Sequence, residues 1–170
     1  MCFVFRVFFR LFAVYLAAAT SIPDIARAAS YDLSGRVQIT KVSDGDSLRS
    51  GTLRIRLFGI DAPELKQECK DQNGEIWGCG IAAHRQLVTL IGTKKELQCS
   101  LRDVDRYGRL IMQCFTGSTD IGAAMVQSGH DLAYRHFSEL YIADEDQAKT
   151  AQKGIWRGIF VPPWEWRRNN

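Results

Sequence analysis

The 170-residue sequence lacks the features that mark several classes of protein. It has no internal repeat and no low-complexity tract, so nothing in it predicts a repeat protein. It has no uninterrupted apolar run of about 20 residues, the length that a membrane-spanning helix needs. It also lacks a strong charge of one sign, because 22 basic side chains stand against 19 acidic ones. These absences favour an ordinary globular domain.

The N-terminal segment has the pattern of a secretory signal peptide. Two arginines precede a short apolar run at 11–19, and Ala-Arg-Ala at 26–28 is a small-x-small cleavage pattern. The sequence therefore predicts a signal peptide at 1–28, one domain at 29–170, and a secreted or periplasmic location. An uncleaved membrane anchor is the alternative, because residues 3–9 are also mostly apolar.

Removal of this segment changes the charge balance. It takes away three arginines and one aspartate, which leaves 19 basic against 18 acidic side chains. A near-neutral domain does not indicate nucleic-acid binding through its bulk charge. If the domain binds a polyanion, local arginines must make the contact.

The cysteine content agrees with export. Four cysteines remain after position 28, and an even number in an exported domain favours disulfides. Three pairings are possible among them, and a zinc site is the alternative. The spacing argues against zinc, because no C-x-x-C pair is present. The four are Cys69, Cys79, Cys99 and Cys114.

A predicted hairpin favours one of these pairings. Residues 97–101 and 109–115 have strand patterns, and a turn centred between positions 106 and 107 places Cys99 directly opposite Cys114. Opposed residues have Cβ atoms about 4.5–5.5 Å apart, which a disulfide can bridge after a small adjustment. Cys69 and Cys79 then close a polar loop.

Alternating and helical patterns predict a mixed fold. Residues 53–60 alternate as a strand, with Leu53, Ile55 and Leu57 on one face. Three strands come first, and helices are interspersed later, which predicts an α+β, mainly β domain built on a small barrel. A first strand is predicted at 35–41, and helices at 80–91, 121–128 and 139–153.

Charged residues cluster between positions 43 and 64. Two neighbouring strands can bring Asp46 close to Asp61, with Arg56 and Glu64 within reach. This is the outline of a site for a metal and a phosphate. The structural alternative is a hairpin turn, a helix-capping acid and solvated arginines.

Three motifs together resemble the thermonuclease family, the staphylococcal nuclease-like domain. They are DGDS at 44–47, the R-x-x-x-x-D-x-P-E run at 56–64 and DRYGR at 105–109. The similarity extends from about position 35 to position 156. The resemblance implies a five-stranded OB-fold barrel with about three helices, and cleavage of DNA and RNA phosphodiester bonds with calcium.

The resemblance also assigns roles by motif position. It implies two calcium carboxylates, a calcium-binding main-chain carbonyl, two phosphate-binding arginines and a general base: Asp46 and Asp61, Ala62, Arg56 and Arg109, and Glu64. Ala62 stands where the family often has threonine, which keeps the carbonyl but loses a hydroxyl. Ser47 replaces threonine. Tyr107 and Tyr134 are candidate nucleotide contacts, with a structural role as the alternative.

The interpretation that follows is an exported calcium-dependent nuclease. It acts on DNA, RNA or both, and it is a monomer without an obligate protein partner. After cleavage of the signal peptide it is not attached to a membrane. Two alternatives are a non-catalytic OB-fold module that binds nucleic acid or protein, and a small disulfide-stapled structural protein. The enzyme is favoured because all five functional side chains are present.

Overall fold

The computed structural model describes residues 33–170, and the segment predicted as a signal peptide lies outside the described residues. The main sheet is built from seven strands, and it curls into a half-barrel. Their bounds are β1 Ser34–Gln38, β2 Lys41–Val42, β3 Ser47–Ser50, β4 Leu53–Leu57, β8 Glu96–Val104, β9 Leu110–Thr116 and β10 Thr119–Asp120. The spatial order is β1-β8-β9-β4-β3-β2, with β10 beside β9.

Two short strand pairs and the helices complete the described part. The pairs are β5 Ile60–Asp61 with β11 Leu132–Ala133, and β6 Cys69–Lys70 with β7 Ile76–Trp77. The helices are α1 Cys79–Ile91, α2 Ile121–Gln127, α3 Ile142–Thr150 and α4 Pro163–Asn169, with a 3₁₀ turn at Gly154–Arg157. In these residues, no helix is long and apolar enough to cross a membrane.

The predicted α+β, mainly β class is confirmed, and the differences are local. The predicted first strand is interrupted, so that β1 and β2 are separate. The third predicted helix is shorter than 139–153, because α3 begins only at Ile142. Helix α4 was not predicted, although proline at position 163 favours a helix start because its fixed φ suits the first turn.

The apolar face of β4 is also shorter than its alternation suggests. Ile55 and Leu57 are buried, but Leu53 is 53% exposed. Leu53 pairs with Ser50 beside the turn that joins β3 to β4, where the strand pair extends past the core. The main core therefore begins at Ile55, where β4 packs with α1, α2 and the β8–β9 pair.

Both predicted disulfides are present. Cys99 faces Cys114 in the register of β8 with β9, and the two are bonded. Cys69 and Cys79 are bonded as well, which excludes a zinc site on these four sulfurs. The Cys69–Cys79 bridge is the centre of a second apolar cluster. The other members of that cluster come from β7, β11, the 3₁₀ turn and the C-terminal segment: Trp77, Leu132, Ile155, Trp156, Phe160 and Trp164.

Candidate active site

The β3–β4 hairpin brings acids and an arginine together. Ser47 on β3 pairs with Arg56 on β4, which places the arginine beside Asp46. Nη1 of Arg56 donates to Oδ1 of Asp46 at 2.8 Å, and Nη2 donates to Oδ1 of Asp61 at 2.5 Å. Asp61 is fixed because β5 pairs with β11. One guanidinium group therefore bridges the two acids that the sequence predicts as metal ligands.

The Asp46 carboxylate makes hydrogen bonds through both oxygens. Its Oδ1 also accepts from the Ser47 hydroxyl at 2.8 Å, and its Oδ2 accepts from the backbone N–H of Ala62 at 3.0 Å. Asp46 is 3% exposed and Asp61 is fully buried. Burial of a carboxylate is costly unless it is paired. Arg56 provides that pairing for both acids.

The acids of this cluster act on one another's protonation. Burial raises the pKa of Asp61, and the charge of Asp46 adds to this, against a lowering by a hydrogen bond from Arg167. Burial, followed by repulsion from Asp46, raises the pKa of Asp44 to about 6. Burial alone would lower the pKa of Arg56, but its two carboxylate neighbours raise it above its usual range. Three acids, Asp44, Asp46 and Asp61, thus act on one arginine, Arg56.

A further acid, Asp131, lies behind the cluster. It is fully buried, and neither carboxylate oxygen has a hydrogen-bond partner among the described residues. Burial raises the pKa of Asp131 well above its usual value, and repulsion from Asp46 and Asp61 acts in the same direction. A Cβ at Gly45 would stand 3.2 Å from Oδ1 of Asp131 and 2.6 Å from the Cβ of Ala62. Glycine at position 45 thus permits this close packing.

Glu64 lies on the loop after β5, and its backbone is held tightly. Gln67 donates its N–H to the Glu64 carbonyl at 2.7 Å and accepts from the Glu64 N–H at 3.2 Å. Gly80 on α1 lies so close that a Cβ there would be 1.7 Å from that carbonyl oxygen. The Glu64 carboxylate accepts from Arg167 at 2.9 Å, and the same arginine donates to Asp61 at 2.8 Å.

Arg109 lies outside this cluster, immediately before β9, and lines the same groove. Its Nε donates to Oδ2 of Asp105 at 2.6 Å, while Oδ1 of Asp105 accepts the backbone N–H groups of Arg109 and Tyr107 at 2.9 Å each. Arg54 on β4 donates to the Tyr107 carbonyl. Since β4 runs parallel to β9, these bonds hold the hairpin tip alongside β4. The Tyr107 side chain is 56% exposed.

Aromatic side chains form another part of the same groove. The Tyr134 ring stacks on Trp164 with centroids 5.8 Å apart, and lies 5.1 Å from the ring of Phe137. All three residues line the groove. The structure therefore places Tyr134 in the groove lining, and its contact with a nucleotide stays a prediction.

The groove has a volume of about 1670 Å³. Small-molecule pockets are typically about 300–1,000 Å³, so this groove has room for part of a polymer. Six acidic and nine basic side chains line it. The basic ones are Arg54, Arg56, Arg102, Arg106, Arg109, Arg135, Lys149, Arg167 and Arg168. The near-neutral domain thus concentrates positive charge locally, which a domain of this net charge needs in order to bind a polyanion.

The structure brings some predicted site residues into contact and separates others. Hydrogen bonds join Asp46, Arg56 and Asp61 directly, and Arg167 joins Glu64 to them. The prediction missed Arg167, because nothing in the C-terminal sequence indicates a contact with Glu64 or Asp61, which lie 103 and 106 positions earlier in the chain. It also missed Asp131, and it included Asp44 only as the first residue of the DGDS motif. The neighbouring Asp-Gly-Asp pattern was a usable signal for Asp44.

The donors present fit calcium as part of a ligand set. In residues 33–170, no group of three or more His, Cys, Asp or Glu side chains could hold a metal ion alone. Asp46 and Asp61 are hard oxygen donors, and calcium accepts carbonyl oxygens and water as well as carboxylates. The repulsion among the acids and the unpartnered Asp131 oxygens both favour an added cation near this cluster.

The OB-like half-barrel and its acid–arginine groove define a nuclease-type domain. A profile described as "Staphylococcal nuclease homologue" matches residues 54–158. The chain therefore belongs to the staphylococcal nuclease family, a class of hydrolases.

Three relatives illustrate the range of this similarity. The micrococcal nuclease of Shigella flexneri is 30% identical over 93% of this chain and 94% of its own length. The succinoglycan biosynthesis protein ExoI of Rhizobium meliloti (strain 1021) is 30% identical over 68% of this chain, which spans only 62% of that protein. An uncharacterized endonuclease of Escherichia coli O157:H7 is 28% identical over 80% of this chain and 86% of its length.

Proposed function

We propose that this domain hydrolyses phosphodiester bonds of DNA, RNA or both in a calcium-dependent reaction. The observation that carries the proposal is that the buried acid–arginine cluster opens onto a groove with nine basic side chains. Such a groove attracts a phosphate backbone without reading its bases. Family membership supports the same reaction class.

Asp46, Asp61 and the carbonyl of Ala62 are the proposed calcium ligands. Oδ1 of each acid already accepts two hydrogen bonds, but Oδ2 of each accepts only one and has a second lone pair for a metal ion. Bound calcium would polarise the phosphodiester and offset its negative charge.

Arg56 and Arg109 are the proposed phosphate-binding groups. The Nη atoms of Arg109 make no hydrogen bond within the described residues, so both remain available to a phosphate. Arg56 lies on β4, the strand that pairs with β9 next to Arg109. A guanidinium group binds phosphate oxygens in pairs, and this contact strengthens as negative charge accumulates during attack. Together the two arginines would hold the scissile phosphate in the groove.

Glu64 is the proposed general base. One of its oxygens accepts from Arg167, and the other makes no hydrogen bond within the described part of the chain. That second oxygen is free to hold a water molecule. As the water oxygen bonds to phosphorus, Glu64 takes the water proton. The bond from phosphorus to the leaving sugar oxygen breaks, and that oxygen takes a proton from solvent.

The test compares Glu64→Gln with the wild type. We expect single-turnover cleavage to fall by about 10²–10⁴-fold, the usual range for loss of a general base, with binding of a non-cleaved nucleotide analogue unchanged. Glu68→Gln is the matched control, because Glu68 is an exposed acid on the same loop. Cleavage by Glu64→Gln at the wild-type rate would refute the assigned role.

The metal is tested in the same assay. Activity should disappear in excess chelator and return with calcium. Magnesium should restore much less, because it demands a smaller octahedral site. Full activity in chelator would exclude the proposed metal dependence.

We also propose a secreted or periplasmic location. Its support is the pair of disulfides, which persist in oxidising compartments and are rare in the cytosol. Cell fractionation with N-terminal sequencing of the mature chain tests this. A cytosolic protein that retains residue 1 would contradict it.

A further inference from the structure

The C-terminal helix α4 places Arg167 in the site, although the family profile ends at position 158. Nη1 of Arg167 donates to Oε1 of Glu64 at 2.9 Å. Its Nη2 donates to Oδ2 of Asp61 at 2.8 Å and to Oδ1 at 3.1 Å. The guanidinium group therefore spans the proposed base and a proposed calcium ligand.

The segment before α4 is fixed at two points. Ile159 and Lys70 exchange two backbone hydrogen bonds, at 2.8 and 2.9 Å. The side chain of Gln67, which is fully buried, donates to the Val161 carbonyl at 2.6 Å and accepts from the N–H of Glu64 through its other end. One amide thus joins the loop that carries the base to the tail that carries Arg167.

Apolar packing holds the helix itself. Trp164 on α4 and Phe160 before it pack on the cluster around the Cys69–Cys79 bridge, and Trp164 stacks on Tyr134. Arg167 lies one turn after Trp164, so the same helix anchors one residue and directs the other toward the acids. The tail therefore has a defined position relative to the site.

We propose that Arg167 is a positioning residue for Glu64. Within residues 33–170, its hydrogen bond is the only one that the Glu64 carboxylate accepts. A glutamate side chain has several rotatable bonds, and holding Oε1 restricts the orientations that Oε2 can take toward a water molecule. Positioning of a reacting group lowers the barrier because less freedom remains to be lost in the transition state. Asp61 fixes the other side of the same guanidinium group.

This inference rests on the proposed role of Glu64, and a double-mutant cycle separates the two. The four proteins are the wild type, Glu64→Gln, Arg167→Met and the double variant. We expect Arg167→Met to lower kcat by about 10–10²-fold, the scale that misplacement of a reacting group can cost, with KM changed far less. In the Glu64→Gln background the same substitution should cost almost nothing, because residues that act as a unit are not additive.

Two further variants control for charge and for folding. Lys66→Met removes an exposed positive charge from the loop that carries Glu64, outside the groove lining, and should leave kcat near the wild-type value. Arg167→Lys keeps the charge but cannot span two carboxylates with a planar fork, so it should recover only part of the rate. If Arg167→Met unfolds at the assay temperature, Arg167→Lys takes its place in the cycle.

The outcomes are distinct. Loss of turnover in Glu64→Gln with a full rate in both Arg167 variants would overturn this inference alone. An equal loss from Arg167→Met in both backgrounds would also overturn it, because the arginine would then act independently of Glu64. A full rate in Glu64→Gln would refute the proposed base and the positioning role together.

Discussion

The two proposed phosphate-binding arginines have very different surroundings. The Arg56 side chain is 14% exposed and bonds two buried acids, Asp46 and Asp61. The Arg109 side chain is 29% exposed and bonds the partly exposed Asp105 at a hairpin tip. The first arginine thus contributes to the interior as well as to the groove, while the second is mounted at the surface. Stability and function are therefore combined at Arg56 and separable at Arg109.

Replacement of Arg56 should have the largest effect. In Arg56→Met, two buried carboxylates lose the arginine that bridges them, and breaking a buried ion pair on one side costs about 3–5 kcal/mol. We expect the free energy of unfolding in chelator to fall by about that amount. Urea unfolding followed by circular dichroism measures it.

Calcium then sharpens the comparison. If Asp46 and Asp61 bind the ion, added calcium should restore part of the stability of Arg56→Met, since a ligand that binds only the folded state stabilises it. The wild type should gain less, because its acids are already paired. Unchanged stability of Arg56→Met in chelator would remove the distinction between Arg56 and Arg109.

Arg109→Lys should affect cleavage without affecting folding. Loss of one preorganised donor to a transition state costs about 10²–10³-fold in turnover, and lysine lacks the fork that the proposed role requires. The ion pair with Asp105 is partly exposed, so the free energy of unfolding should change by less than about 1 kcal/mol.

Single-turnover cleavage and urea unfolding of the same preparation test both parts. Arg36→Lys is the control, because Arg36 also makes one exposed ion pair, with Glu96 at 3.7 Å, but lies on β1 and outside the groove lining. A large stability loss in Arg109→Lys would contradict the separation of roles at the hairpin tip.

The sequence could predict the parts of this site that depend on local pattern. The hairpin register follows from residue counting, which is why Cys99 was correctly paired with Cys114. The proximity of Asp46 to Arg56 follows from two adjacent strands, and Asp61 comes one turn after the second of them. Arg167 could not be found this way, because its position depends on packing of the tail onto the Cys69–Cys79 cluster. Tertiary contacts of that kind leave no periodic signal in one sequence.

Asp131 was unpredictable for a related reason. It belongs to the buried surroundings of Arg56, which differ from the exposed surroundings of Arg109. Its position follows only from packing behind the Asp46–Asp61 pair and against Gly45. Burial and the neighbouring acids raise its pKa well above the ordinary value of 3.8. In the unfolded chain Asp131 ionises near that ordinary value, but in the folded protein it keeps its proton to higher pH. Unfolding therefore releases a proton in this window, and stability falls as pH rises through it.

Asp131→Asn should remove this pH-dependent loss. Asparagine fills nearly the same space but never ionises, so the variant should gain stability over the wild type as pH rises from about 4 toward neutrality, by up to about 1.4 kcal/mol for each pH unit in which only the folded state keeps the Asp131 proton. Urea unfolding in chelator at a series of pH values measures the difference.

Asp146→Asn is the control, because its side chain is 63% exposed and no such trend is expected. A stability difference between Asp131→Asn and the wild type that stays constant across pH would show that Asp131 is compensated in the folded protein. Calcium should narrow the difference, because a cation near Asp46 and Asp61 offsets the repulsion that Asp131 experiences.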